Sequence, residues 1–118
     1  GSSVVHTTDP IEAVTDASVV YTDVFISMGE EHMTDKIKSF EGYQVNEEMV
    51  AHMADNWSFM HCLPAHRGEE VTDYVMDHKQ SIVFGQAENR MWAQMSLMAF
   101  LINRGAWEAM GEFMGLID

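Results

Sequence analysis

Basic residues are scarce in this sequence. Lys and Arg number 6 against 19 Asp and Glu, a formal net charge of −13 over 118 residues. A surface of that sign repels phosphate backbones and anionic lipid headgroups, which argues against nucleic acid and membrane partners. Solubility in an acidic or salty habitat accounts for the charge without any special function. Cysteine is nearly missing too: Cys62 stands alone, so no intramolecular disulfide can form, which fits a reducing compartment. No apolar run approaches the roughly 18 residues of a membrane span, and no basic-then-apolar leader opens the chain. A cytoplasmic location is therefore expected. Internal repeats and low-complexity tracts are also lacking.

What is present is enough for one domain. Hydrophobic residues make up 47% of the chain, and a domain of this size buries roughly two-thirds of its unfolded surface. Short β-like runs alternate with helical ones. Val4 to Thr8 reads as a strand, and Asp9-Pro10 then supplies an N-cap followed by proline in the first helical turn. Ile11 to Thr15 continues as a short helix. Val19 to Val24 has the β-branched and aromatic composition of a strand buried on both faces. Phe25 to Met33 reads as a loop, Thr34 to Phe40 as a helix, and Asn46 as the cap of a helix reaching Met53. Trp57 to Leu63 is the next strand, stopped by Pro64. Glu69 to Met76 reads as helix, Ser81 to Phe84 as a short strand, and Ala87 to Asn103 as a long apolar helix.

Strands separated by helices imply parallel crossovers, so the expected class is α/β, a three-layer, mainly parallel sheet flanked by helices. Ligands of such sheets bind beyond the carboxyl ends of the strands. Three segments stand at those ends: Phe25 to Gly29, His61 to Pro64, and Gly85 to Arg90. Within Phe59 to Asp73 (FMHCLPAHRGEEVTD), Cys62 could be a nucleophile, a metal ligand, a hydrogen-bonding wall or a buried structural thiol. His61 at this depth reads as a satisfied core group or a support to its neighbours. His61, Cys62 and His66 lack the spacing of a structural zinc site, so no metal is expected. His32, His52 and His78 read as solvated.

The same segment resembles the signature of ornithine carbamoyltransferases, in which His-Cys-Leu-Pro lines the active site. Three further motifs agree in order. TDVFISMGEE (Thr22 to Glu31) is similar to the family's Asp-x-x-x-Ser-Met-Gly loop, FEGYQVNEEM (Phe40 to Met49) to its Tyr-Gln-Val-Asn segment, and AENRMWAQ (Ala87 to Gln94) to its Glu-Asn-Arg helix start. The resemblance implies a Rossmann-like half of a carbamoyltransferase. It implies transfer of a carbamoyl group from carbamoyl phosphate to the δ-amine of ornithine, giving citrulline and phosphate, without an organic cofactor. It places the α-amino and carboxylate groups of ornithine near Asp23, Ser27 and Met28. Cys62 and the Leu63 carbonyl would border both carbamoyl phosphate and the attacking amine, with Pro64 holding that carbonyl outward across a bond often cis in the family. Arg90 would donate to the carbonyl oxygen of carbamoyl phosphate, where a fixed guanidinium stabilises the tetrahedral intermediate more than the ground state.

The family's phosphate site, a Ser-x-Arg-Thr motif with further basic residues, has no match here. Residues 1–104 are therefore expected to form part of an ornithine-binding domain whose N-terminal partner domain is missing, leaving the chain inactive by itself. The alternatives are a carbamoyltransferase for another amine, such as putrescine or an N-acylated ornithine, and a non-catalytic binding or assembly module. Ser27-Met28-Gly29 favours a substrate with an α-amino acid head. Two departures from the family pattern, Gly85-Gln86 before the Ala-Glu-Asn-Arg and Met95 in the last helix, bear on docking between domains. Residues 105–118 form a helical tail beyond a turn at Gly105. Met91, Met95, Met98, Ala99 and Ile102 make an apolar stripe, and Trp107, Met110, Phe113, Met114 and Ile117 a second apolar face. Surfaces of that size predict a homo-oligomer, the alternative being that the second helix folds back and covers the first within one monomer.

Overall fold

Two strands, β1 (Val19–Thr22) and β2 (Ser58–His61), pair in parallel with Val19 opposite Ser58 and Thr22 opposite His61. Around them the computed structural model, which describes residues 1–26, 38–113 and 115, sets short helices. The chain divides into two compact units, Gly1–Val83 and Phe84–Asp118. The first holds α1 (Pro10–Val14), β1, α2 (Glu47–Val50), β2 and α3 (Asp73–Met76). It is the expected α/β arrangement of a parallel sheet flanked by helices.

Each short helix starts where a polar side chain satisfies its first amides. Asp9 accepts from the N–H groups of Ile11 and Glu12, and Pro10 follows in the first turn, where its missing N–H costs nothing. Asn46 caps α2 through the Met49 N–H, and Thr72 caps α3 through the Val75 N–H. The core beneath them joins Val14, Val20, Val45, Met49, Val50, Trp57, Phe59, Val71, Val75 and Val83. Phe59, Val71, Val75 and Val83 are fully buried.

Several elements differ from the sequence reading. Val4 to Thr8 forms no strand. Val4 and Val5 are 84% and 79% exposed, because β-branched composition yields a strand only where a neighbour completes the ladder. β1 is buried on one face alone, its side chains alternating between exposed and buried. α2 stops at Val50, since the chain then turns to bond elsewhere: the His52 carbonyl accepts from Asp16 and the Ala54 N–H donates to Ala17. The helix expected from Glu69 begins only at Asp73. Before it, Val71 sinks into the core and bridges Val45, with Val45 N–H donating to Glu70 O and Thr72 N–H to Val45 O. The strand expected at Ser81 to Phe84 shrinks to one bridge between Ser81 and Phe59. There α4 (Val83–Ile102) takes over, since extending a helix gains one hydrogen bond per residue fixed. Of the helix expected from Thr34 to Phe40, only residues 38–40 lie among those described, and they form a single 3₁₀ turn.

The second unit holds α4 from Phe84 onward and α5 (Arg104–Phe113). The break falls at Asn103, not Gly105, because the Asn103 side-chain oxygen accepts from the Ala106 N–H and caps α5, which absorbs the glycine. Phe100 meets Trp107 edge to face at 5.2 Å, and the Arg104 guanidinium lies 5.3 Å from the Phe100 ring centre while pairing with Glu108.

Two substitutions test this core. Phe59→Ala destabilises the chain by about 3–5 kcal/mol, since the site is sealed and relaxes little. Val4→Ala changes stability by less than about 0.5 kcal/mol, as an exposed residue outside any ladder should. Urea unfolding followed by circular dichroism checks both; a large effect at Val4 would mean that the terminal segment pairs after all.

Candidate functional site

Parallel pairing decides what meets at the end of the sheet. Because β1 and β2 run the same way and Thr22 lies opposite His61, the next residues, Asp23 and Cys62, leave the same edge side by side. The Cys62 thiol donates a hydrogen bond to the Asp23 carboxylate. A second donor, the Val24 N–H, lies 2.7 Å from Asp23 Oδ1. The thiol bond is the main reason that the Asp23 carboxyl sits below its ordinary range, with the Val24 amide adding to it. The same contact pushes the Cys62 thiol up, and burial adds to the effect, while a hydrogen bond from Tyr21 opposes it. Cys62 is therefore held as a neutral thiol against an ionised carboxylate.

Behind this pair lies a buried polar chain. The Leu63 N–H donates to His61 Nδ1 at 2.8 Å. That ring nitrogen being the acceptor, Nε2 carries the hydrogen and donates to Glu70 Oε1 at 3.1 Å. Glu70 Oε1 also accepts from the His66 backbone N–H at 2.6 Å. Both His61 and Glu70 are fully buried. Leu63 itself adopts a left-handed backbone, φ 58°, and the Leu63–Pro64 peptide is cis. A non-glycine residue in that region costs about 1–3 kcal/mol and persists only where its surroundings hold it. Here the hold comes from His61. Further along, Gln44 Nε2 donates to the carbonyls of Gly68 and Glu69, both at 2.8 Å, and Arg67 reaches Asp73 at 2.8 Å and Asp77 at 2.7 and 2.8 Å.

Residues 1–101 match the family model described as the aspartate/ornithine carbamoyltransferase Asp/Orn binding domain. The chain belongs to this carbamoyltransferase family. It is 52% identical over 103 residues to an ornithine carbamoyltransferase of Carboxydothermus hydrogenoformans, covering 86% of this chain and 33% of that relative. To the ornithine carbamoyltransferase of Thermococcus kodakarensis it is 55% identical over 95 residues, 80% of this chain and 30% of the relative. The structure of an ornithine carbamoyltransferase from Pyrococcus furiosus superimposes with a TM-score of 0.72 at 53% identity, covering 77% of this chain and 29% of that one. The chain spans about a third of the length of the curated relatives it matches.

Of the site residues expected from the resemblance to the family, Asp23, Cys62 and Leu63 stand together at one strand edge. Ser27 and Met28 lie outside the described residues. Arg90 stands on α4, in the second unit. Asp23 also borders a cleft of about 500 Å³ whose other lining residues, among them Val20, Tyr21, Phe25, Phe40 and Tyr43, carry no formal charge. Two contributors escaped the sequence reading. Tyr21 has no motif signal, since only parallel register brings it to Cys62. Glu70 was visible only as an acidic residue downstream of His-Cys-Leu-Pro; nothing in the sequence announces that it turns inward to His61.

The Asp23–Cys62 contact has a pH signature. Because the folded thiol keeps its proton to higher pH than an unfolded one, the contact stabilises the fold below the unfolded thiol's titration, and this is lost as pH rises through the folded value. Asp23→Asn removes both the carboxylate acceptor and its charge, so the thiol titrates at lower pH. Alkylation of the single cysteine by iodoacetamide, which consumes thiolate, then proceeds several-fold faster near pH 8, and its pH–rate profile moves to lower pH. An unshifted profile would rule out this electrostatic coupling.

Proposed function

We propose that this chain is the ornithine-binding part of an enzyme that transfers a carbamoyl group from carbamoyl phosphate to the δ-amine of ornithine, giving citrulline and phosphate. The observation that carries this reading is the juxtaposition of Asp23, Cys62 and Leu63 at one sheet edge, in a chain of the carbamoyltransferase family. In this reading Asp23, ionised by its two hydrogen-bond donors, holds the α-ammonium of ornithine. Ser27 and Met28 supply donors for the α-carboxylate. Cys62 and the Leu63 carbonyl border the δ-amine, which loses a proton and attacks the carbonyl carbon as the neutral amine. The tetrahedral intermediate then collapses with cleavage of the bond to phosphate, the departing phosphate taking the proton that the attacking nitrogen gives up. Arg90 donates to the carbonyl oxygen as it gains charge. A neutral Cys62 suits a role as a hydrogen-bonding wall and disfavours one as a nucleophile. His61 and Glu70 act through Leu63: they hold its amide and so anchor the turn from which its carbonyl projects. Among the described residues no helix is long and apolar enough to cross a membrane.

The second part of the proposal is that the chain associates with a second copy of itself through α4. Met91, Trp92, Met95, Leu97 and Met98 are each about half exposed or more, and Leu101 is 71% exposed. A helix apolar on most of its circumference calls for cover on more than one side. The charge distribution favours a like partner. Residues 84–118 carry two arginines and four acidic residues, a net −2, so residues 1–83 carry the remaining −11 of the total −13. Two copies meeting along α4 bring together segments of low net charge, whose mutual repulsion is weak.

Three measurements test these readings. In the enzyme that contains this chain, Asp23→Asn raises the KM for ornithine, while Arg90→Ala lowers kcat by roughly 10²-fold; unchanged ornithine kinetics in Asp23→Asn would remove the placement of the amino-acid head. The 118 residues by themselves form no citrulline from the two substrates, and enzyme-dependent citrulline production by the pure chain would show that they hold a phosphate site as well. Light scattering at micromolar concentration gives a mass above the monomer that falls on dilution and in the Met95→Glu/Met98→Glu variant. A mass equal to the monomer at every concentration overturns self-association.

A further inference from the structure

The fold brings together a set of metal-ligating groups that the motifs do not pair. His66, Glu69 and Glu70 each place a ligand atom so that the three lie within 4.8 Å of one another. The set shares only His66 with the His-Cys-His combination that spacing disfavours. It forms because the turn after Pro64 is tight: Glu69 N–H donates to the His66 carbonyl, and the left-handed Gly68 lies between them. His66 Nδ1 is 3.6 Å from Glu69 Oε2, with both side chains about half exposed. The third member supplies an independent sign of a ligand. Glu70 is fully buried, and although its Oε1 accepts two hydrogen bonds, its Oε2 has no hydrogen-bond partner. A buried carboxylate oxygen with vacant lone pairs has lost its hydration without gaining a partner among the described residues. Coordination to a cation supplies that partner.

We infer that His66, Glu69 and Glu70 form a binding site for a divalent transition cation of the Zn²⁺ or Mn²⁺ class. One imidazole and two carboxylates suit these ions, and harder ions such as Mg²⁺ prefer an all-oxygen set. Ligand atoms at about 2.0–2.2 Å from a shared ion must lie within about 4.4 Å of each other. Small rotations of the two exposed side chains, His66 and Glu69, close the remaining gap while Glu70 stays in place. The site is distinct from the strand-edge residues Asp23 and Cys62 but linked to them, because Glu70 also orients His61, whose Nδ1 holds the Leu63 amide. An ion on Glu70 would therefore brace the substrate-bordering turn from behind.

The test is titration of the full chain with Zn²⁺ against a chromophoric indicator, and with Co²⁺ followed by visible absorption. The expected result is one saturable site per chain, weakened at least tenfold by Glu69→Gln and by His66→Gln and retained in Cys62→Ser. Bound Co²⁺ should show no thiolate charge-transfer band. Both weakening substitutions fall on exposed side chains, and circular dichroism confirms that the variants fold. Unchanged affinity in both variants, loss of binding in Cys62→Ser, a thiolate band, or no saturable binding at all each overturns the proposal.

Discussion

The parallel register of β1 and β2 is the constraint on which the rest depends. In a parallel pair both carboxyl ends leave the same edge, and Thr22 opposite His61 fixes which residues emerge there. Slipping the pairing by one residue would send every side chain of one strand to the other face. Phe59 and His61 would leave the core, and Cys62 would no longer lie beside Asp23. The hydrophobic requirement that Phe59 be buried thus also specifies the polar contact at the strand end, so packing and chemistry are set by one register.

Behind that edge the structure accepts a cost. A histidine and a glutamate are removed from water completely, a position that charged groups tolerate only with partners. His61 uses both ring nitrogens, one toward the Leu63 amide and one toward Glu70, and Glu70 in turn holds the His66 amide. The network converts a disfavoured backbone conformation at Leu63 into a fixed one. It also spares the turn from relying on proline alone, since Gln44 and the Arg67 clasp secure the following residues from the outside.

Charge and apolar surface are segregated along the chain. The acidic excess belongs mainly to residues 1–83, whereas the long exposed helix α4 is nearly neutral and rich in methionine. Methionine is flexible and polarizable, so this surface is adaptable in shape. α5 packs against the end of α4 through Phe100 and Trp107 and leaves most of the apolar stripe uncovered.

By itself the sequence determined what depends on local chemistry. Asp9 and Asn46 cap helices where a short polar side chain can reach the first amides, and such signals are legible within four residues. The α/β class followed from alternating patterns, and the family from four ordered motifs. The juxtaposition of Asp23 with Cys62 was legible only as two strand ends implied to share a ligand. Tertiary structure decided what depends on distant partners. Val4 to Thr8 has a strand's composition but no ladder to join, while Val71 lies in a helical pattern but is claimed by Val45 and the core. Ser81 meets Phe59 once and yields to a helix whose next hydrogen bonds are local. Glu70 carries no signal of its own in the sequence and is buried against His61, nine residues earlier, whose ring it meets at 3.1 Å. Propensity acts within a few residues, whereas burial and pairing act across the fold, and at Val71 burial wins because it removes more apolar surface from water.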